Sequence, residues 1–245
     1  MKILLAPAET KNQGGVGKPY NKENFFLEQL FDKRDEVYTA YEKLLENSSI
    51  EELSKWFGLK KLDEVQRYKE SLNNKPTMKA IQRYNGVAFD AIEYDTLSED
   101  EQNYIDENVL LFSNLFGPIK ASDLIPDYKY KQGAKLPEMA VEKFFMENFT
   151  SALDEHVGDE IIDLRAGHYE KFYKVKKANV LTFKFIKDGK VVSHWAKHYR
   201  GALLKHLAKN NIVSIADFMN SEMPGLKLIE IQEKKNVKLL IMEIE

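Results

Sequence analysis

Val191-Val192-Ser193-His194-Trp195-Ala196-Lys197-His198-Tyr199-Arg200-Gly201 begins as a strand and ends as a helix. Val191 and Val192 are β-branched, and Phe183–Ile186 ahead of them has the same strand character. Lys187-Asp188-Gly189-Lys190 separates the two runs, and an Asp-Gly pair between strand-like runs is the strongest short-range hairpin signal. Beyond Ala196 the apolar residues fall at Leu203, Leu204 and Leu207, the spacing of a helix face. Lys197, His198 and Arg200 therefore fall at or near the handover from strand to helix. Free backbone N–H groups there would join three nitrogen-bearing side chains in an anion site. The plainer reading is solvated charge beside a turn.

Working outward, the charge is lopsided. Arg165–Lys209 holds twelve Lys and Arg against Glu170 and Asp188, a net of +10, with four of the five histidines. The rest of the chain nets −13, and the whole −3. Such a segment suits an anionic partner such as a nucleic-acid backbone, or else solvated strands rich in lysine. An apolar share of 43% and a charged share of 31% are those of a globular protein in water. With no cysteine, disulfides, thiolate metal sites and cysteine nucleophiles are excluded, in keeping with a reducing cytosol. Glu9 cuts the first apolar run short of a signal peptide's core, and no run approaches the ~18 apolar residues of a membrane span. A cytoplasmic protein with no membrane association is expected.

Taken in order, Lys2–Ala6 reads as a short buried strand stopped by Pro7. Gly14-Gly15-Val16-Gly17-Lys18 imitates a phosphate-binding loop and fails as one. Asn12 stands where the first glycine is required, and Pro19 replaces the hydroxyl residue that would hold magnesium. A flexible surface loop is expected instead. Helical patterns dominate from Asn24 to about Arg83, with Ser49-Ile50-Glu51-Glu52 as a capping box and Gly58 as a helix end. Pro76 is expected to open a further short helix. Tyr84–Ile92 breaks the periodicity and reads as a turn followed by a strand or irregular segment. Ser98-Glu99-Asp100-Glu101 is a second capping box, predicting a helix to about Asn108 before a buried strand, Val109–Phe112. Ser113–Gly133 reads as a long, weakly periodic connection of the kind that often carries function. Leu136-Pro137 is expected to start a helix reaching about His156. Glu160–Leu164 reads as a strand, Ser214 as a cap, and Leu226–Ile231 with Asn236–Ile244 as a terminal hairpin. These add up to a single compact domain over 1–245, of mixed α/β (α+β) type, with a helical N-terminal half and a mixed sheet.

His194 and His198 are four apart, like the two ligands of H-E-x-x-H. Trp195-Ala196-Lys197 supplies no general-base Glu, and a strand-to-helix change between the histidines would separate their faces. Neither a metal nor a cofactor is expected. No G-x-S-x-G occurs. Asp163 and Arg165, two apart at a strand end, can face one cleft, as a salt-bridged pair or with Asp163 as a catalytic acid–base group. Arg165, Lys197, His198 and Arg200 would form a positive pocket if their two strand ends are neighbours.

Several stretches carry a resemblance: Leu4–Lys11, Tyr84–Ile92, Phe112–Lys120, Asp123, Pro126-Asp127-Tyr128 with Gly133, Ile162–Tyr169, and Ser193–Lys197 with Arg200-Gly201. In this order, across about Met1 to Asn210, they resemble the signatures of the YaaA family of peroxide-stress proteins. The resemblance implies a cytoplasmic protein of the response to hydrogen peroxide that limits DNA damage linked to unincorporated iron. It also implies a compact α/β fold with a positively charged cleft, a helix-hairpin-helix-like element, and binding to duplex or distorted DNA. Matching positions that stay polar are Thr10, Lys11, Asp123, Tyr128, Asp163, Arg165, Lys197 and Arg200. Apart from Asp163, these form the expected anion-binding set together with His198 and Lys205 of the basic segment and Gly86, which lies in a candidate hairpin element made of helix Pro76–Arg83, turn Tyr84–Val87 and the segment that follows. Many members carry Lys where Glu9 stands, Tyr at Phe89 and Phe116, and Arg-Pro at Lys120-Ala121. The leading expectation is a non-enzymatic protein contacting DNA phosphates with weak sequence preference. The alternative is an enzyme acting on a nucleotide, nucleobase or other small anion in the cationic cleft. Iron handling through the histidine pair is a third.

Overall fold

The computed structural model describes residues 1–245. Its strands are β1 (Lys2–Leu5), β2 (Thr77–Lys79), β3 (Val109–Ser113), β4 (Gly117–Lys120), β5 (Leu124–Pro126), β6 (Glu160–Leu164), β7 (Asn179–Lys187), β8 (Lys190–Val191), β9 (Leu226–Lys234) and β10 (Val237–Ile244). Its helices are α1 (Phe31–Asn47), α2 (Ile50–Phe57), α3 (Leu62–Lys69), α4 (Ala80–Arg83), α5 (Val87–Ile92), α6 (Glu99–Asn108), α7 (Val141–His156), α8 (Ser193–Lys209) and α9 (Ile215–Met219).

β1 lies inside an eight-stranded sheet of order β4-β3-β1-β6-β7-β10-β9, with β8 on β7. β3, β1, β6, β7 and β10 run parallel, while β4, β8 and β9 are antiparallel additions. Parallel strands covered on both faces have no polar side, so they appear as unbroken apolar runs. Ile3, Leu4, Leu5 and Val109–Phe112 are accordingly all buried. β2 and β5 form a separate two-stranded ribbon. One continuous core of 61 buried apolar residues runs from the helical N-terminal half through the sheet, so the chain packs as one body of mixed α/β type.

β7 fixes where the basic helix begins. Its first half pairs with β6 on one side, while β10 follows its other side as far as Ile186. Once β6 has ended, β8 takes its place against Ile186 and Lys187. Asp188 and Gly189 both have positive φ (49° and 71°), the two-residue hairpin geometry expected of an Asp-Gly pair. The hairpin thus lies over the end of β6, and α8 starts there, against Ala166.

Several expectations need correcting. α8 begins at Ser193, so Lys197, His198 and Arg200 sit in its first turns, and His194 and His198 share a helical face after all. Residues 8–19 are pinned, not flexible. Lys11 bridges to Tyr84 and Gly17 to Thr77, while the Arg83 guanidinium donates to the carbonyls of Asn12 (2.5 Å) and Gly14 (2.8 Å). Pro76 precedes β2 rather than a helix, because Thr77 pairs with both Gly17 and Pro126. Tyr84–Ile92 is a turn into α5, too short for its period to show and held in place by α8. Ser113–Gly133 contains β4 and β5, and the Ser113 hydroxyl accepts from the Leu115 and Phe116 N–H groups to turn the chain between β3 and β4. α7 starts at Val141, after a Leu136–Met139 bridge in which Glu138 takes a positive φ. The two capping boxes, at Ser49 and Ser98, and the left-handed Gly58 stand as read.

Candidate functional site

β1 and β6 are neighbours, yet the chain leaves them in opposite directions, from β1 toward β3 and from β6 toward β7. Loops that diverge this way leave a crevice at the carboxyl ends of the strands, where open α/β sheets bind ligands. A cleft of about 410 Å³ opens at that point. Leu5–Thr10 after β1 and Leu164, Ala166 and Tyr169 after β6 form two of its walls. Asn85–Phe89 at the start of α5, Gln132, and Lys197 and Arg200 of α8 complete it.

Four sequence-predicted residues converge here: Thr10, Gly86, Lys197 and Arg200. Thr10 Oγ1 donates to the Asn85 carbonyl (3.0 Å), and the Asn85 N–H donates to the Thr10 carbonyl (3.2 Å). These bonds fasten the β1 loop to the turn at Gly86, whose φ of 110° resists a side chain. Lys197 is exposed. Arg200 is half-buried and finds no hydrogen-bond or ion-pair acceptor in the protein, its guanidinium lying 6.0 Å from the Phe185 ring centre. Burial lowers its pKa, against the opposing pull of Asp163 and Glu170.

The other predicted residues are engaged elsewhere. Asp163 and Arg165 form a tight pair, with Nη2–Oδ2 at 2.7 Å and Nε–Oδ1 at 2.9 Å. The guanidinium also donates to the carbonyls of Tyr169 and Tyr173, so Arg165 is spent on the fold. Lys11 lies behind the β1 wall of the cleft. Its ammonium sits 4.0 Å from the Tyr128 ring centre and 5.1 Å from that of Tyr84. Burial, helped by Lys129, pushes its pKa down to about 7 despite Asp127 and Glu9. Tyr128 is buried, sharing hydrogen bonds with Tyr84 (2.8 Å) and Ser113 (2.7 Å). Asp123 is buried too, accepting from the Lys120 and Phe26 N–H groups, and burial raises its pKa to about 6. Neither can reach a phosphate. Lys205 is paired with Glu93. His198 stands exposed beside Trp195, outside the cleft, and no three His, Asp or Glu side chains gather as a metal ion would require.

Sequence reading missed Gln132 as a lining residue, because nothing in a polar loop marks which residue will border a cleft. Asn85, Phe89, Ala166 and Tyr169 lie within quoted motifs but carry no charge to single them out.

Beyond the cleft, α8 and the β7–β8 hairpin make a basic surface. Of the twelve cations between Arg165 and Lys209, only Arg165 and Lys205 are in ion pairs. Trp195 is 44% exposed among them, with Lys187 Nζ 5.1 Å from its ring centre.

The chain is 44% identical, over its full length and 99% of the relative, to an uncharacterized protein of Campylobacter jejuni. It is 36% identical to a UPF0246 protein of Corynebacterium glutamicum over 85% of each chain, and 26% identical to one of Fusobacterium nucleatum over 96% of this chain and 97% of that one. A family model described as peroxide stress protein YaaA matches residues 1–232. The chain therefore belongs to the family of the peroxide stress protein YaaA.

Proposed function

We propose that this member of a peroxide-stress family acts in the cytoplasm by binding DNA through the α8 and β7–β8 surface, with little sequence preference. The observation that carries the reading is the set of six Lys and Arg on β7, β8 and α8 (Lys184, Lys187, Lys190, Lys197, Arg200 and Lys209) that form no ion pair. Unpaired cations crowded on one segment cost repulsion that a polyanion relieves. An exposed Trp among them adds the sequence-tolerant stacking face found in nucleic-acid grooves. α4, the Tyr84–Gly86 turn and α5 are two short helices joined through a glycine of positive φ, and they are the proposed hairpin element beside that surface.

Protection follows from charge. Protein cations that neutralise phosphates release the counterions condensed on DNA. Ferrous ions are displaced with the rest, so radicals made from peroxide arise farther from the backbone. Iron coordination by the protein plays no part in this scheme.

The test is fluorescence anisotropy of labelled duplexes between about 50 and 200 mM salt. The log–log slope should be about −0.9 per phosphate neutralised. Lys187→Ala and Lys190→Ala on the hairpin should each flatten it by about one, equally for unrelated sequences. Affinity indifferent to ionic strength would remove the proposal.

A further inference from the structure

We infer that the cleft between β1 and β6 binds a single nucleotide, its phosphate held by Arg200 and Lys197 and its base lying on the apolar wall. The inference rests on the DNA reading only for one possible source of that nucleotide. Size is the first argument. About 410 Å³ lies toward the small end of the ~300–1,000 Å³ typical of small-molecule sites. A duplex cannot enter it, and one nucleotide can.

The second argument is the unmatched cation. Arg200 lines the cleft half-buried, and its five N–H donors have no acceptor in the protein. Its planar fork matches a phosphate, and Lys197 stands one turn earlier on the same helical face. The helix that carries them is fixed in place. Gly201 presses α8 so closely onto α5 that a Cβ there would strike the Ala88 carbonyl.

The third argument is the rest of the lining. Ala6, Pro7, Ala8 and Val87 are partly exposed and give an apolar surface that free phosphate would leave wet. Gln132 has its backbone N–H tied to the Glu9 carboxylate (3.0 Å), while its carboxamide has no partner in the protein. A carboxamide offers both a donor and acceptors to the edge of a base. Anion clamp, apolar wall and free amide together describe a nucleotide better than a bare anion or an apolar acid.

Isothermal titration with 5′-deoxymononucleotides, the matching nucleosides and inorganic phosphate tests this. Mononucleotides should bind at least tenfold more tightly than either fragment. Arg200→Ala should cost at least tenfold, Arg200→Lys less, and Gln132→Ala, an exposed position safe for folding, several-fold. Phosphate binding as well as the nucleotides do, or an unchanged Arg200→Ala, would overturn the inference. Duplexes with one unpaired 2-aminopurine separate the sources. A fluorescence rise that disappears when Ala6→Leu narrows the cleft supports a nucleotide drawn from the strand. Mononucleotide binding without such a rise supports a free nucleotide, and neither signal overturns the proposal. Anisotropy with fully paired duplex keeps the two readings apart. Its loss with nucleotide binding intact would strike the DNA reading alone, and the converse would strike this one.

Discussion

At the scale of the residue, Lys11 and Arg200 show what a charge count conveys and what it hides. Arg200 was legible, because it lies in a segment whose excess of cations is plain. Lys11 lies in a polar, glycine-rich loop with no sign of burial, and only the fold slides it beneath Tyr84 and Tyr128. Its pKa of about 7, against an ordinary 10.5, has a definite consequence. Between those values the unfolded chain binds a proton that the folded chain does not, so this residue makes stability rise with pH across the window. Lys11→Met should therefore raise stability by roughly 2–4 kcal/mol at pH 7 and progressively less toward pH 10, as urea melts at several pH values would show. Asp163 and Arg165 test the opposite case. Arg165→Met strands a largely buried carboxylate and should cost about 3–5 kcal/mol. Asp163 would regain a claim to catalysis if Asp163→Asn left stability unchanged.

At the scale of the element, the segments that announced themselves carry their own instructions. Ser49 and Ser98 cap helices with side chains only three residues from their partners, and Asp188-Gly189 turns a hairpin by its own φ preference. α5, β2, β4 and β5 span six residues or fewer and take their shape from distant neighbours, which a local pattern cannot encode. The same split explains the site. Its cations belong to a helix that sequence could find, and its walls to loops whose company only the sheet order decides. α5 and α8 form the joint between the two. Gly201→Ala should force them apart, lower the melting temperature by several degrees, and weaken duplex binding even though no cation is lost. A melting curve together with anisotropy would check both effects.

At the scale of the whole molecule, the sheet gathers strands from both ends of the chain. β10 pairs with β7 from Val237↔Val180 through Glu243↔Ile186 and buries Leu240, Met242 and Ile244. A chain ending at Gly225 should therefore expose the β7 edge and elute as aggregate in size-exclusion chromatography, whereas the full chain should not. The placement of β1 bears on how the protein is made. Its Ile3 pairs on one side with Val109 and on the other with Ile162, both more than a hundred residues downstream. Translation thus delivers β1 long before its two partners, and closing such distant pairs is slow. A nascent chain that has not reached Leu164 holds Ile3–Leu5 with one flank bare, open to chaperones and to misassociation. The cleft, whose walls follow β1 and β6, comes into being only when that last flank is seated.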